Sequence, residues 1–438
     1  MRHVDGLRAW AVSFVILYHL DLSFFQTGFL GVDIFFVISG FLMARIITES
    51  IENDEFSFAN FYLRRLKRLF PMLFLTVLLT TVASCFLLNP THLENFGKSL
   101  LSTSLLSNNF LFYHQAGYFD TEAITKPLLH FWSLAVEEQF YLFFPIFLFS
   151  LSKFFDAKHH RLMCIFLLLS SLILAIVFQS KDSDLVFYML PFRIWEFLFG
   201  ALIIFFPSLN TKCSHLLTDF MFLIGCALII MSIAINPADF KISLIGNLMA
   251  CIGAALIICY GGRSRYSGLL ENQFTVLVGK ASYALYLVHW PVIVFFKYYF
   301  NRPLEPLETL LAIFVTVIIS AFGVTYVENI WRNPSFGKRF YSRNVGYYFS
   351  TAMACIFAFG LFLSSSKLAL INLRYDENAA NFLRLGETDF AREFYGGKAC
   401  ESQRPNPNID FVCRFGSDSH PDFLVGGDSH VEALFAGL

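Results

Sequence analysis

Long apolar stretches alternate with short polar ones along most of the chain. Eleven of them approach the roughly 20 residues that a helix needs to cross the hydrocarbon core of a bilayer. They are residues 7–25, 29–48, 70–88, 128–151, 161–179, 187–206, 215–235, 242–260, 276–297, 307–328 and 346–364. The first follows the N-terminus directly, lacks a small-residue cleavage site, and is followed at once by another long apolar stretch. It therefore reads as a retained span and not as a signal peptide. A shorter stretch, 97–113, carries Ser99, Ser102, Ser104, Ser107, Asn108 and Asn109. The pattern predicts an all-α polytopic membrane helix bundle of about 11 transmembrane helices, plus one re-entrant or interfacial segment.

Charge placement decides how 97–113 is read. Cytoplasmic loops are enriched in Lys and Arg. Loop 49–69 holds Arg64, Arg65, Lys67 and Arg68, so it and the N-terminus are placed inside. If 97–113 does not cross, loops 152–160, 261–275 and 331–345, with their Lys and Arg residues, also fall inside. If it crosses, all three fall outside. A re-entrant segment satisfies the rule, and irregular backbone at membrane depth must then be buried in protein or line a cavity. Eleven crossings place the C-terminal tail outside.

Composition sharpens this. Charged residues make up 15% of the 438 and hydrophobic ones 56%, against about 25% charged in a soluble domain. That argues against an ordinary soluble enzyme and against disorder. The 55 Phe occur in runs such as Phe35-Phe36 and Phe143-Phe144, as suits helices facing lipid or one another. A net charge of -1 gives no global field to attract nucleic acid, and no nucleic-acid partner is expected. Seven of the nine Cys lie in or beside apolar stretches and read as small buried hydrophobes. Cys400 and Cys413 lie in the polar tail, where a disulfide forms only in an oxidising compartment.

Ionisable residues inside apolar spans are costly and mark candidate function. Arg8 and His19 are eleven residues apart on the first span, which returns them to nearly one face, about 16 Å apart. A topology anchor and a hydrogen-bonded core histidine would also account for them. Asp33 sits just inside the second span, where a helix-start carboxylate is the bland alternative. Arg65 and Arg68 precede Pro71 and suit either anchoring or a forked clamp on phosphate. Glu137 and Glu138 are adjacent in mid-span, and His130 lies seven residues before Glu137 on the same face; such carboxylates need cations, protons or water to insert. Arg193 and Glu196 are spaced to pair on one helix face. Ser282, Tyr286 and His289 precede Pro291 on another span. Together these residues suggest a polar track through the bilayer, with arginines at one end.

Seven stretches in order resemble acyltransferase family 3, the integral membrane O-acyltransferases, in the subgroup with a C-terminal SGNH domain. They are Asp5–Val12 (DGLRAWAV) with Tyr18-His19, Gly31–Leu42 (GVDIFFVISGFL), Phe61–Pro71 (FYLRRLKRLFP), Phe131–Tyr141 (FWSLAVEEQFY), Arg193–Phe197 (RIWEF), Ser282–Pro291 (SYALYLVHWP) and Tyr326–Glu328 (YVE). The resemblance covers about residues 3–333. It implies transfer of an acyl group, commonly acetyl, from cytoplasmic acyl-CoA to a hydroxyl of a bacterial cell-envelope glycan such as lipopolysaccharide O-antigen, in the inner membrane, with no metal. The family's R-x(10)-H motif falls on Arg8 and His19, and its R-x-x-R motif on Arg65 and Arg68, which would hold coenzyme phosphates. His19 would be the general base or acyl carrier, and Glu137 would tune a cationic partner. Asp33, Glu138, Arg193, Glu196, Ser282, Tyr286 and His289 would line the substrate path.

The tail resembles the opening of an SGNH hydrolase-like α/β domain: an apolar strand, Phe423-Leu424-Val425, then Gly427-Asp428-Ser429-His430, with Ser429 as nucleophile. No D-x-x-H follows Ser429. The resemblance also implies a Cys400–Cys413 disulfide outside the cell. The expected organisation is a membrane domain over 1–333, a linking transmembrane helix over 334–366, an extracytoplasmic linker over 367–398 and the N-terminal part of an SGNH domain over 399–438. The competing functional class is a transporter of an acyl, lipid-linked sugar or proton substrate that makes no ester. It predicts inverted repeats with broken helices, and the sequence has no internal repeat.

Overall fold

A computed structural model describes residues 1–116, 123–206, 214–234, 240–332 and 344–365. The chain divides into two units, Met1–Ser364 and Ser365–Leu438, and the helices of the first form the bundle. The expectations for Cys400, Cys413, Ser429 and the SGNH opening fall outside the described residues.

Among the described residues every regular element is a helix. Among these residues nine helices are long and apolar enough to cross a membrane. In chain order the helices that matter for the site are α1 (Arg2–His19), α2 (Gly31–Glu52), α3 (Phe58–Leu87), α4 (Pro90–Ser104), α5 (Asn108–Gln115), α6 (Phe131–Phe154), α7 (Ala157–Gln179), α8 (Ser183–Tyr188), α9 (Ile194–Phe205), α10 (His215–Ala234), α11 (Phe240–Tyr260), α12 (Gly268–Glu271), α13 (Gln273–Phe300), α14 (Pro306–Phe322), α15 (Asn329–Arg332) and α16 (Asn344–Ser365). Each of the eleven expected spans has its helix. The two that fall short of a full apolar span do so for local reasons: α1 carries Arg2, Asp5 and Arg8, and α9 is cut to 12 residues by the 3-10 turn Leu190–Phe192.

The largest shift from expectation is in α3. A loop is expected over 49–69, yet α2 runs on to Glu52, and α3 begins at Phe58, with Ser57 as its cap, and runs through Pro71. Arg64, Arg65 and Arg68 therefore stand on helical turns, and Arg65 and Arg68, three apart, share a face.

The centre of the bundle is α2, whose most apolar window is 78% buried, against 22% for the windows in α7, α14 and α16. Small residues allow this depth of packing. A Cβ on Gly40 would stand 1.8 Å from the Phe197 carbonyl oxygen, and one on Gly200 the same distance from that of Val37. The α2 and α9 backbones thus touch, and Phe36, Phe197 and Phe140 stack across α2, α9 and α6. In the same way α1 lies against α12 and α13: a Cβ on Gly279 would meet the Asp5 carbonyl oxygen at 1.7 Å, and one on Gly6 that of Leu270 at 2.0 Å. Helices α1 and α13 run parallel, since Asp5 meets Gly279 at one end and His19 meets His289 further on.

Segment 97–113 forms a hairpin of α4 and α5. His92 Nδ1 lies 3.0 Å from the Tyr298 hydroxyl near the end of α13, and the Tyr113 hydroxyl donates to Asp182 Oδ2 at 2.8 Å in the turn before α8. The tip turns at Leu106, in the left-handed region with φ 53°, and its carbonyl accepts from Gln139 Nε2 of α6 at 3.3 Å. Asn108 Nδ2 serves the Ser99 carbonyl and the Ser102 and Thr103 hydroxyls. The break in the helix is therefore supplied with hydrogen bonds from protein, as depth in a membrane requires. This is the re-entrant form.

Candidate active site

A cavity of about 620 Å³ opens between α1, α2, α3, α6, α13, the helical turn Gly323–Glu328 that follows α14, and the start of α15. Its lining includes four cations, Arg8, Arg65, Arg68 and Lys280, and three carboxylates, Asp5, Glu137 and Glu328. Each helix delivers its share by simple spacing. Asp5 and Arg8 lie three apart on α1, and Arg65 and Arg68 three apart on α3. Ser133, Glu137 and Tyr141 follow at four-residue steps along α6, and Ser282 and Tyr286 four apart on α13.

Glu137 anchors the wall. The Ser39 and Tyr141 hydroxyls both bond its Oε1, and these hydroxyls are 2.9 Å from each other. The Arg65 guanidinium carbon lies 3.4 Å from the centroid of the Tyr141 ring, a cation stacked on a π face. The carboxylates of Asp5, Glu137 and Glu328 all act electrostatically on Arg8. Arg65 is acted on in the same way by Glu138 and Glu137, so the two adjacent carboxylates of α6 are matched by cations from other helices, as their insertion demands.

The far wall leads to three histidines. Ser133 Oγ and the Tyr286 hydroxyl are 2.5 Å apart, and both reach the His130 carbonyl, at 3.1 and 3.2 Å. Pro291 has no N–H, which leaves the Leu287 carbonyl without its helical donor; His130 Nε2 lies 3.1 Å from that oxygen. The rings of His130 and His289 are 5.6 Å apart, and His289 Nε2 is 3.0 Å from His19 Nδ1. Trp290 packs on His19 at 4.5 Å between ring centroids, and its Nε1 donates to the Lys126 carbonyl at 2.9 Å. Lys297 Nζ donates to the His19 carbonyl at 3.0 Å. A polar line therefore runs from the cavity, through Ser133 and Tyr286, past His130 and His289, to His19.

The anticipated residues divide into three places. Arg8, Arg65, Arg68, Glu137, Ser282 and Tyr286 line the cavity; His19 and His289 lie beyond its wall. Asp33, Arg193 and Glu196 form a separate buried cluster between α2, α9 and α11. There Arg193 Nη1 is 3.0 Å from Glu196 Oε1 and 3.5 Å from Asp33 Oδ1, and Asn247 Nδ2 donates to Asp33 Oδ1 at 2.9 Å. Glu138 is not among the lining residues. Asp5, Lys280, Glu328 and Asn329 line the cavity although the charge pattern does not single them out. Glu328 closes a six-residue π-helix, Gly323–Glu328, a local rewinding often found at functional sites; its stretch, Tyr326–Glu328, is one of the seven that carry the resemblance. Among the described residues no group of three His, Cys, Asp or Glu side chains is arranged to hold a metal ion.

Residues 2–325 match the family model described as an acyltransferase domain. The chain belongs to that acyltransferase family. It is 32% identical over 364 residues to YrhL of Bacillus subtilis, covering 78% of this chain and 56% of that protein. It is 30% identical over 348 residues to the O-acetyltransferase OatA of Staphylococcus aureus, covering 76% and 57%. It is 29% identical over 355 residues to the peptidoglycan O-acetyltransferase OatA of Listeria monocytogenes, covering 76% and 56%. The chain thus spans a little over half the length of these relatives. No solved structure matches it. As a member of the acyltransferase family with nine apolar helices of spanning length among its described residues, it is a multi-pass membrane protein.

Proposed function

We propose that the protein transfers an acetyl group from acetyl-CoA, bound from the cytoplasm, to a hydroxyl of a cell-envelope glycan on the other side of the bacterial inner membrane. The observation that carries this reading is the joined pair of sites: a cation-rich cavity at the Arg8 end of α1 and α13, linked by Ser133 and Tyr286 to the histidines at the other end.

Arg65 and Arg68, with Arg8 and Lys280 beside them, suit the phosphates of the coenzyme, since forked guanidinium donors bind phosphate oxygens in pairs. Glu137 acts electrostatically on Arg8 and Arg65 and so would tune the charge they offer. His19 serves as general base. Its imidazole takes the proton of the acceptor hydroxyl as the oxygen–carbonyl bond forms; the carbon–sulfur bond breaks, and the thiolate leaves and takes up the proton. Ester and free thiol are the products, so atoms and charge balance.

The Arg-rich ends are read as cytoplasmic, which places the N-terminus inside and the tail outside. The parallel run of α1 and α13 and the returning α4–α5 hairpin support that arrangement. The membrane domain would take up 1–333, followed by the linking helix 334–366, the linker 367–398 and the SGNH portion 399–438, in which Ser429 would pass the group onward and Cys400 would pair with Cys413. The name of the Listeria relative supports peptidoglycan as the acceptor in preference to lipopolysaccharide O-antigen.

The test uses the full chain in liposomes with labelled acetyl-CoA and an envelope glycan acceptor. Acceptor-dependent release of coenzyme A is expected, and it is expected to vanish in His19→Ala while the protein still inserts. Normal transfer by that variant removes His19 from the reaction.

A further inference from the structure

We propose that His289 is a positioning residue that fixes the tautomer of His19, so that a pair of neutral imidazoles takes the place of the usual carboxylate–imidazole pair. This rests on the reading of His19 as the base.

Two backbone carbonyls set the pair. His289 Nδ1 lies 2.6 Å from the Tyr286 oxygen and 3.2 Å from the Leu285 oxygen, both one turn earlier on α13. A carbonyl only accepts, so Nδ1 carries the hydrogen. In a neutral imidazole the other nitrogen is then an acceptor. His289 Nε2 therefore accepts from His19 Nδ1, 3.0 Å away, and the lone pair of His19 is left on Nε2. The ring is held in that pose by Trp290 at 4.5 Å and Tyr18 at 5.0 Å.

The groups that face the pair are the ring of His130, the residue before α6, the Tyr286 ring and the Lys297 ammonium from α13, and Tyr18 from α1. His289 itself has no exposed surface. Asp21, the carboxylate at this end, is held by Lys297 at 2.5 Å. No carboxylate among the described residues is thus aimed at the pair to hold an imidazolium at rest. When His19 Nε2 takes the hydroxyl proton, its Nδ1–H becomes a charged donor to His289 Nε2, and that bond strengthens as the charge appears. His289 thus favours the state in which the base has done its work.

Two carboxamides separate this role from packing. In His289→Asn the amide reaches only the position of Nδ1, so the bonds to the carbonyls survive and the acceptor for His19 is lost. In His289→Gln the amide oxygen reaches the position of Nε2 and the acceptor is kept. For the full chain in liposomes, His289→Asn is expected to lower kcat by about ten- to a hundredfold with little change in the KM for donor. The acid limb of its pH profile should move down by about one pH unit, because His19 loses the bond that favours its charged form. His289→Gln should restore both within a few fold.

A His289→Asn enzyme with wild-type kcat and acid limb overturns the proposal. Equal losses in both variants with an unmoved limb overturn it as well, since that is the signature of packing. If the Asn variant fails to insert, the Gln variant decides alone: retained activity and acid limb support the pairing, and their loss in an inserted protein ends it. His19→Ala, assayed alongside, tells the two failures apart: if it stays active, the base itself is misassigned.

Discussion

Arg193, at the start of α9, reaches back to Asp33, 160 residues earlier at the start of α2, with Nη1 and Oδ1 3.5 Å apart. The two side chains are 5% and 1% exposed, and Glu196 on the other side of the guanidinium is fully buried. One cation thus holds two carboxylates in the interior, and α2 and α9 are tied at the end where their backbones begin to touch.

Taking the cation away leaves two buried carboxylates uncompensated. Arg193→Leu is expected to destabilise the folded protein by about 3–5 kcal/mol and to prevent accumulation in the membrane. Asp33→Asn removes one negative charge and leaves Arg193 with Glu196, so it should cost much less. Thermal unfolding in detergent gives the ranking, and equal stability of the two variants would contradict the cluster's role.

The α1–α13 contact is equally intolerant. A methyl group at Gly279 meets the Asp5 carbonyl oxygen at 1.7 Å, and backbone cannot yield as a side chain does. Gly279→Ala is expected to lose about 1–3 kcal/mol and to move Asp5 away from the cavity. Gly268, with open space around it, is the control, and Gly268→Ala should leave unfolding unchanged.

At Arg65 charge alone is not enough. The guanidinium is stacked on Tyr141 and offers a fork that an ammonium lacks. Arg65→Lys should raise the KM for acetyl-CoA about tenfold or more, the worth of one charge-assisted hydrogen bond, with the chemical step less affected. Donor titration at saturating acceptor measures it; an unchanged KM would place the phosphates elsewhere.

The hairpin makes a geometric prediction. Residues in the turns of α4 and α5 farthest from the tip should be reachable from one face of the membrane only. In a chain stripped of its native thiols, Glu94→Cys and His114→Cys should react with an impermeant maleimide from the same side, and Lys153→Cys from the opposite one. Labelling of 94 and 114 from opposite sides would turn the hairpin into a crossing.

Most of the cavity is legible in the sequence because charges in apolar stretches are conspicuous: Arg8, Arg65, Arg68 and Glu137 all stand out against their neighbours, and all line it. Lys280, Asp5 and Glu328 do not stand out, because each lies near the end of its span, where a charge needs no special explanation. Nothing local marks Glu328 as inward-facing; a π-helical turn aims it. The Arg193–Glu196 pair can be read from a three-residue spacing. The Asp33 partner cannot, since it depends on two glycines that let α2 and α9 meet. The start of α3 escapes the hydropathy pattern because its first turns are as polar as a loop, and only Ser57 and the shared face of Arg65 and Arg68 betray a helix.

The hairpin also constrains how the chain is made. Its tip leans on Gln139 and its far end on Asp182, 69 residues after Tyr113. While the ribosome is still producing α6 to α8, the nascent protein holds a serine- and asparagine-rich loop that has its internal hydrogen bonds but lacks its partners on Gln139 and Asp182. Bare lipid offers that loop no hydrogen bonds, so it has to wait in the translocation machinery or at the headgroups until those partners are synthesised. Biogenesis, more than final stability, is where substitutions in this loop would do their damage.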